Sequence, residues 1–180
     1  MSDEDVYKRF LEQHNNDDFR ILLERHREGL LLFLVSFVHS IDDAEELMLD
    51  TFAEVASAKT FAGRSSFKTW LYSIGKHQAL MMLRKNRKTI ALNEELEEKQ
   101  AKTTPELEIL NKERKQQLYF ALKHLNDEYQ QVLTLLYFED MSLEEIETIM
   151  NKSRKQIYNL TERGKKALKA ELERMGVNEF

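Results

Sequence analysis

The sequence contains no cysteine, so neither a disulfide nor a thiolate, as metal ligand or as nucleophile, can take part in what it does. One proline and five glycines in 180 residues are too few for the tight reversals that hairpins and sandwiches need. Leu, Glu, Lys, Gln and Ala, all good helix formers, fill the space instead, and an all-α fold is expected. Long apolar runs are missing too: the longest, 29–38 (GLLLFLVSFV), is far short of the roughly 20 residues that span a bilayer. The opening MSDEDVYKRF is acidic where a secretory signal would be basic, so a soluble, cytoplasmic chain without membrane insertion is expected. The five histidines (His14, His26, His39, His77, His124) share no metal-ligand spacing, and no nucleophile motif or phosphate-cradling glycine loop occurs. No metal, no cofactor and no catalytic residue is expected; the chain does not read as an enzyme.

Negative charge is absent from one stretch in particular. The formal net charge is −5, yet residues 59–88 (KTFAGRSSFKTWLYSIGKHQALMMLRKNRK) hold eight basic residues (Lys59, Arg64, Lys68, Lys76, Arg84, Lys85, Arg87, Lys88) and no Asp or Glu. Phe61, Phe67, Trp70 and Tyr72 are interleaved with them behind a Gly/Ser loop, FAGRSS. Cations attract phosphates, and flat rings offer faces on which unpaired bases stack, at about 1–3 kcal/mol per base. Single-stranded nucleic acid is the expected ligand, with a place in the core as the alternative for Trp70. A second basic island, 152–169, carries seven Lys or Arg against one acid, Glu162.

Two small helical domains are expected, residues 1–92 and 112–180, joined by a flexible acidic linker at 93–111 that contains the only proline, Pro105. In the first, 19–38 is apolar enough to be a helix buried on most sides. Ser40 should cap a helix from Asp42 to Ala58, with Ala44, Leu47, Met48, Thr51, Phe52 and Val55 inward. Asp43, Glu46, Asp50 and Glu54 line another face, either as solvated surface or as a docking face for a basic partner. A helix from Phe67 to Lys85 follows, with Phe67, Leu71, Ile74, Gln78 and Met81 or Met82 inward and Lys76, His77, Leu80 and Arg84 outward. The second domain contains three short amphipathic helices and a longer one. Ser142–Glu145 and Ser153–Gln156 are capping boxes separated by a turn at Asn151-Lys152, which makes the last pair a helix-turn-helix. Its second helix turns Arg154, Lys155, Tyr158, Asn159, Glu162, Arg163 and Lys166 outward and Ile157, Leu160, Gly164 and Leu168 inward.

The order DAEELMLDTFAEV, FAGRSSFKTWLYSIGKH, acidic linker, then LKHLNDEYQQVLTLLYFEDMSLEEIETIMNKSRKQIYNLTERGKKALKAEL resembles the small bacterial sigma factors of the extracytoplasmic-function type, in the sigma-70 superfamily, from about Val6 to Leu172. That resemblance implies a transcription initiation factor that binds core RNA polymerase, directs it to promoters and assists DNA melting. Its first domain would dock on the polymerase clamp through Asp43, Glu46, Leu47, Asp50, Phe52 and Glu54. Minus-ten recognition and melting would fall to Phe61, Arg64, Ser65, Ser66, Phe67, Lys68, Trp70, Tyr72, Lys76, His77 and Arg84, with the loop capturing a flipped base of the non-template strand. Minus-thirty-five recognition would fall to Ser153, Arg154, Lys155, Tyr158, Asn159, Glu162, Arg163 and Lys166 in the major groove. The implied partners are core RNA polymerase, promoter DNA (duplex and melted non-template strand) and an anti-sigma factor. Tyr158 and Glu162 stand where family members often carry Arg or bulky groups, which leaves the recognised sequence open. From the residues alone, a stand-alone helix-turn-helix regulator and a pure interaction protein remain as alternatives.

Overall fold

The computed structural model describes residues 1–92 and 113–178, all helix and connecting turns, in a chain that divides into two compact units at 101/102. The expected acidic linker, 93–111, lies outside the described residues.

The first unit opens with a helix that sequence reasoning did not assign, α1 (Asp3–Gln13). Ser2 caps it by accepting the amide of Asp5 at 3.1 Å, and Asp3, Glu4 and Asp5 sit at the positive end of its dipole. Next comes α2 (Asn16–Val38), capped by Asn15, which accepts the amide of Asp17. Ser40 caps α3 (Ile41–Ser57) as expected, through the amide of Asp43 at 3.2 Å. The expected inward stripe of α3 is buried at Ala44, Leu47, Thr51, Phe52 and Val55, while Met48 is half-buried. Leu22, Leu30, Phe33 and Leu34 of α2 form the middle of this core, each fully buried side chain contributing about 1.5–3 kcal/mol.

α4 (Phe67–Leu92) is longer than expected, and its buried row differs. Phe67, Leu71, Gly75 and Ala79 face the core, with Thr69 and Tyr72 beside them, whereas Ile74 and Gln78 are only half-buried and Met81 is 51% exposed. The reason lies in Gly75. A Cβ there would stand 3.0 Å from Leu30 Cδ1, so the bare backbone is what lets α4 approach α2. Small residues carry almost no hydropathy signal, which draws a pattern-based stripe onto the larger neighbours. From Arg84 to Ala91 every residue is exposed.

The second unit contains α5 (Glu113–Lys123), α6 (Asp127–Leu133), α7 (Leu143–Met150) and α8 (Arg154–Arg174). Asn126 caps α6, which runs directly into a π-helical turn at Thr134–Phe138 before the chain reverses at Asp140 (φ 49°). Both expected capping boxes are present: Ser142 with Glu145, and Ser153 with Gln156. Asn151 takes the left-handed conformation that ends α7. The turn between α7 and α8 is thus fixed by a left-handed residue on one side and a capping box on the other. Buried Ile146, Ile149 and Met150 on α7 and Ile157 on α8 supply apolar surface on either side of that turn. At Gly164 a Cβ would lie 3.3 Å from Leu133 Cδ1, so α6 and α8 also approach over a glycine.

Candidate nucleic-acid interface

In the first unit the site is the connection 58–66 and the start of α4. Ser66 caps α4 by accepting the amide of Thr69 at 3.1 Å, and Glu4 of α1 accepts the amide of Phe67 at 2.7 Å. Gly63 has φ 64°, a conformation open to glycine, and nothing lies within 4 Å of where its Cβ would be. Ala62, Gly63 and Arg64 are exposed at the tip. Phe61 folds back so that its ring centroid is 5.0 Å from that of Trp70. Both residues are half-buried. Ser65, Ser66, Lys68 and Lys76 are half-buried, and His77 and Arg84 are exposed further along α4.

Two of the expected stacking residues are not available. Phe67 and Tyr72 are completely buried, Tyr72 against Phe33 at 5.4 Å and Phe67 against Tyr7 and Trp70. They are core residues: the rings sit on the α4 face turned to α2 and α1. Of the four aromatic residues counted in the basic stretch, Phe61 and Trp70 alone are not fully buried.

On α3, Glu46, Asp50 and Glu54 are exposed and Asp43 is half-buried, with Glu54 accepting a hydrogen bond from Gln78. Leu47 and Phe52 are buried at 2% exposure each and are core rather than contact residues, because they fall on the opposite side of the helix. Leu49, 59% exposed, takes their place as the apolar element of the acidic face. Its spacing from Glu46 (i+3) is the signal that would have found it.

In the second unit α8 presents Arg154, Lys155, Tyr158, Asn159, Arg163 and Lys166 to solvent, Tyr158 at 57% exposure. Glu162 is half-buried and lies 3.5 Å from Lys165. The Ser153 hydroxyl is occupied as the helix cap, accepting the amide of Gln156. Arg154 bonds back to Glu147 of α7, and that bond together with the Glu147 charge pushes its pKa above the usual arginine value. Lys152 pairs with Glu128 at 2.8 Å. A helix with five outward cations or amides and one flat ring, entered through a capped two-residue turn, can lie in a major groove with its first turns toward the bases.

Residues 22–89 match the family model for sigma-70 region 2, and residues 115–168 match that for sigma-70 region 4. Among curated proteins, the RNA polymerase sigma factor YlaC of Bacillus subtilis is 29% identical over 163 residues, covering 86% of this chain and 92% of the relative. The extracytoplasmic-function RNA polymerase sigma factor SigX of the same organism is 26% identical, covering 87% of this chain and 84% of the relative. Among solved structures, the sigma factor RpoE in complex with the anti-sigma factor NepR from Bartonella quintana superposes with a TM-score of 0.71 at 22% identity, covering 87% of this chain and 97% of that one. CnrH in complex with the cytosolic domain of CnrY gives 0.64 at 20% identity, with 95% and 97% covered.

Proposed function

The chain belongs to the sigma-70 family, in its extracytoplasmic-function group, and on that premise we propose how its surfaces divide the work of promoter recognition. It is a transcription initiation factor that directs RNA polymerase to promoters. Both halves match sigma regions, so the stand-alone regulator, whose first domain would sense or dimerise, is not favoured.

The first unit, with residues 1–92 as its working boundary, docks on polymerase through the acidic face of α3, Glu46, Leu49, Asp50 and Glu54. Its 58–66 loop and the start of α4 receive an unpaired base of the non-template strand at the minus-ten element. The base stacks on the free surface of Phe61 and Trp70, while Arg64, Lys68, Lys76, His77 and Arg84 meet the sugar–phosphate chain. Stacking and phosphate contacts together offset the few kcal/mol needed to unstack and flip a base. The second unit, from 112 onward, places the first turns of α8 in the major groove at the minus-thirty-five element, with Lys155, Arg163 and Lys166 on phosphates and Arg154, Tyr158 and Asn159 nearer the bases. The polymerase carries out the chemistry; this chain selects and opens, in the cytoplasm, and no helix among its described residues is long and apolar enough to cross a membrane. The RpoE neighbour is held by an anti-sigma factor, and an inhibitory partner of that kind is proposed for this chain.

One observation carries the reading of the first unit: two half-buried rings 5.0 Å apart at the foot of a loop in a stretch with eight cations and no acid. Run-off transcription by core polymerase on a pool of genomic fragments, with and without the chain, tests it. Discrete transcripts that require the chain are expected; an unchanged transcript set would refute the reading.

A further inference from the structure

We propose that α1 is a positioning element for the α3–α4 connection, with Glu4 and Tyr7 as the residues that hold its two ends. The proposal deepens the reading above and rests on it, since it gives a purpose to fixing Phe61 and Trp70. α1 precedes residue 22, where the match to region 2 begins.

At the α3 end, the Tyr7 hydroxyl donates to the carbonyl oxygen of Val55 at 2.8 Å, a bond fully buried in the unit. At the α4 end, Glu4 Oε1 accepts the amide of Phe67 at 2.7 Å, from 63 positions earlier in the chain. Ser66 already takes the amide of Thr69, so Glu4 serves a first-turn donor that the local cap does not reach. Its negative charge also meets the positive end of the α4 dipole. Between these two bonds the Tyr7 ring contacts Phe61 edge-on at 6.1 Å, Phe67 at 5.1 Å and Trp70 at 5.6 Å. A single α1 side chain therefore touches both candidate stacking rings and the last turn of α3.

α1 is in turn pinned to α2. Arg9 donates to both oxygens of Asp18, which is 2% exposed, and Asp3 bonds Arg25 at 2.8 Å and His26 at 2.7 Å. The two ends of the connection are thereby referenced to the middle of the bundle. A helix present only to cover the core needs an apolar ring at position 7 and nothing at position 4. Phenylalanine fills the same volume as Tyr7, and the Glu4 carboxylate would be better solvated in water. The two polar bonds are what covering does not require.

Trp70 is the only tryptophan, so its emission reports on this site without ambiguity. The test uses the full chain with Glu4→Ala, Glu4→Gln and Tyr7→Phe. Hydrogen exchange at the Phe67 amide and Trp70 emission are read in the free protein, and polymerase affinity and open-complex formation are read after assembly with core enzyme. Glu4→Ala should speed exchange at Phe67 by about tenfold, as expected for losing one charge-assisted hydrogen bond, shift Trp70 emission to the red and slow opening while polymerase affinity holds. Glu4→Gln keeps the acceptor oxygen and should recover most of each; Tyr7→Phe should shift the emission and slow opening as Glu4→Ala does. Parent-like exchange and emission in Glu4→Ala would overturn the proposal. So would equal losses of polymerase binding and opening in both Glu4 variants, or normal opening in Glu4→Ala where Trp70→Ala is slow. If Trp70→Ala opens promoters normally while Glu4→Ala still alters exchange and emission, the base-stacking reading fails and the positioning role stands.

Discussion

Arg154, the first residue of α8, turns its guanidinium back onto Glu147 of α7, Nε to Oε1 and Nη2 to Oε2 both at 3.3 Å. An exposed pair of this kind contributes about 0–1 kcal/mol to stability, so its effect is orientation rather than strength. Glu147→Ala should leave the melting midpoint of the second unit nearly unchanged and raise affinity for random duplex, since a negative charge beside the groove is gone. Discrimination between promoter and random duplex should fall, because Arg154 is no longer aimed. Replacing Arg154 and Lys155 together by Ala should lower the salt slope of duplex binding by about 1, for the phosphate contact of Lys155, and relax discrimination at the base that Arg154 faces. Competition binding across a salt series reads all three, and an unchanged slope removes α8 from the DNA.

Asp50 stands one turn from both Glu46 and Glu54 on the exposed face of α3. Asp50→Lys converts two repulsive i,i+4 pairs into attractive ones, so the helix itself should gain a few tenths of a kcal/mol. Loss of association with core polymerase in that variant therefore cannot be ascribed to unfolding. Co-purification is expected to fail for Asp50→Lys and to weaken for Leu49→Ala, with helicity and melting preserved; retention of both complexes would take α3 off the polymerase.

Gly75→Ala brings a methyl to 3.0 Å from Leu30, which is itself fully buried and has little room to turn. The intrinsic preference for Ala in a helix favours the change by about 1 kcal/mol, but overpacking costs about 1–3 kcal/mol, so a net loss is expected. Gly164→Ala meets Leu133 at 3.3 Å and should be closer to neutral. Chemical denaturation with Trp70 as the probe for the first unit and circular dichroism for the whole chain separates the two effects. A more stable Gly75→Ala would show that α2 and α4 do not need the close approach.

Acid should weaken the attachment of α1. Burial opposes the charge on Asp3, but its bonds to Arg25 and His26 outweigh that and hold its carboxyl below the ordinary value of 3.8. The bond from Arg9 holds Asp18 below it as well. A carboxyl depressed in the folded state stabilises in full above its unfolded value and loses that contribution as pH falls through its lower folded-state value. The melting midpoint of the first unit should therefore be flat from neutrality down to about pH 5 and fall steeply toward pH 3. Asp18→Asn should lower the midpoint at pH 7 and flatten the acid limb, and a parent-like acid limb would exclude the Arg9–Asp18 pair as its source.

Much of this could be read along the chain because it is local. Ser40, Ser142 and Ser153 announce the helices they cap, and Ile146, Ile149, Ile157 and Leu168 show their inward faces by spacing alone. What could not be read is long-range or small. No local pattern links Glu4 to the amide of Phe67, and α1 is announced only by the helical spacing of Val6, Tyr7, Phe10 and Leu11 behind an acidic start. Gly75 and Ala79 face the core with little apolar signal, so spacing alone assigns the buried row of α4 to larger neighbours. Counting rings near cations points to a candidate nucleic-acid surface but does not say which rings are buried, and Phe67 and Tyr72 are.

Trp70 and Phe61 are proposed to take hold of a base once the duplex has opened. Permanganate reactivity of unpaired thymines at the minus-ten element, measured with core polymerase and either the parent chain or Trp70→Ala, tests it most directly. Trp70→Ala should bind polymerase and promoter as a closed complex but lose reactivity by about tenfold or more, the loss of one stacking contact. Reactivity equal to the parent, or a parallel loss of closed-complex binding, would contradict it.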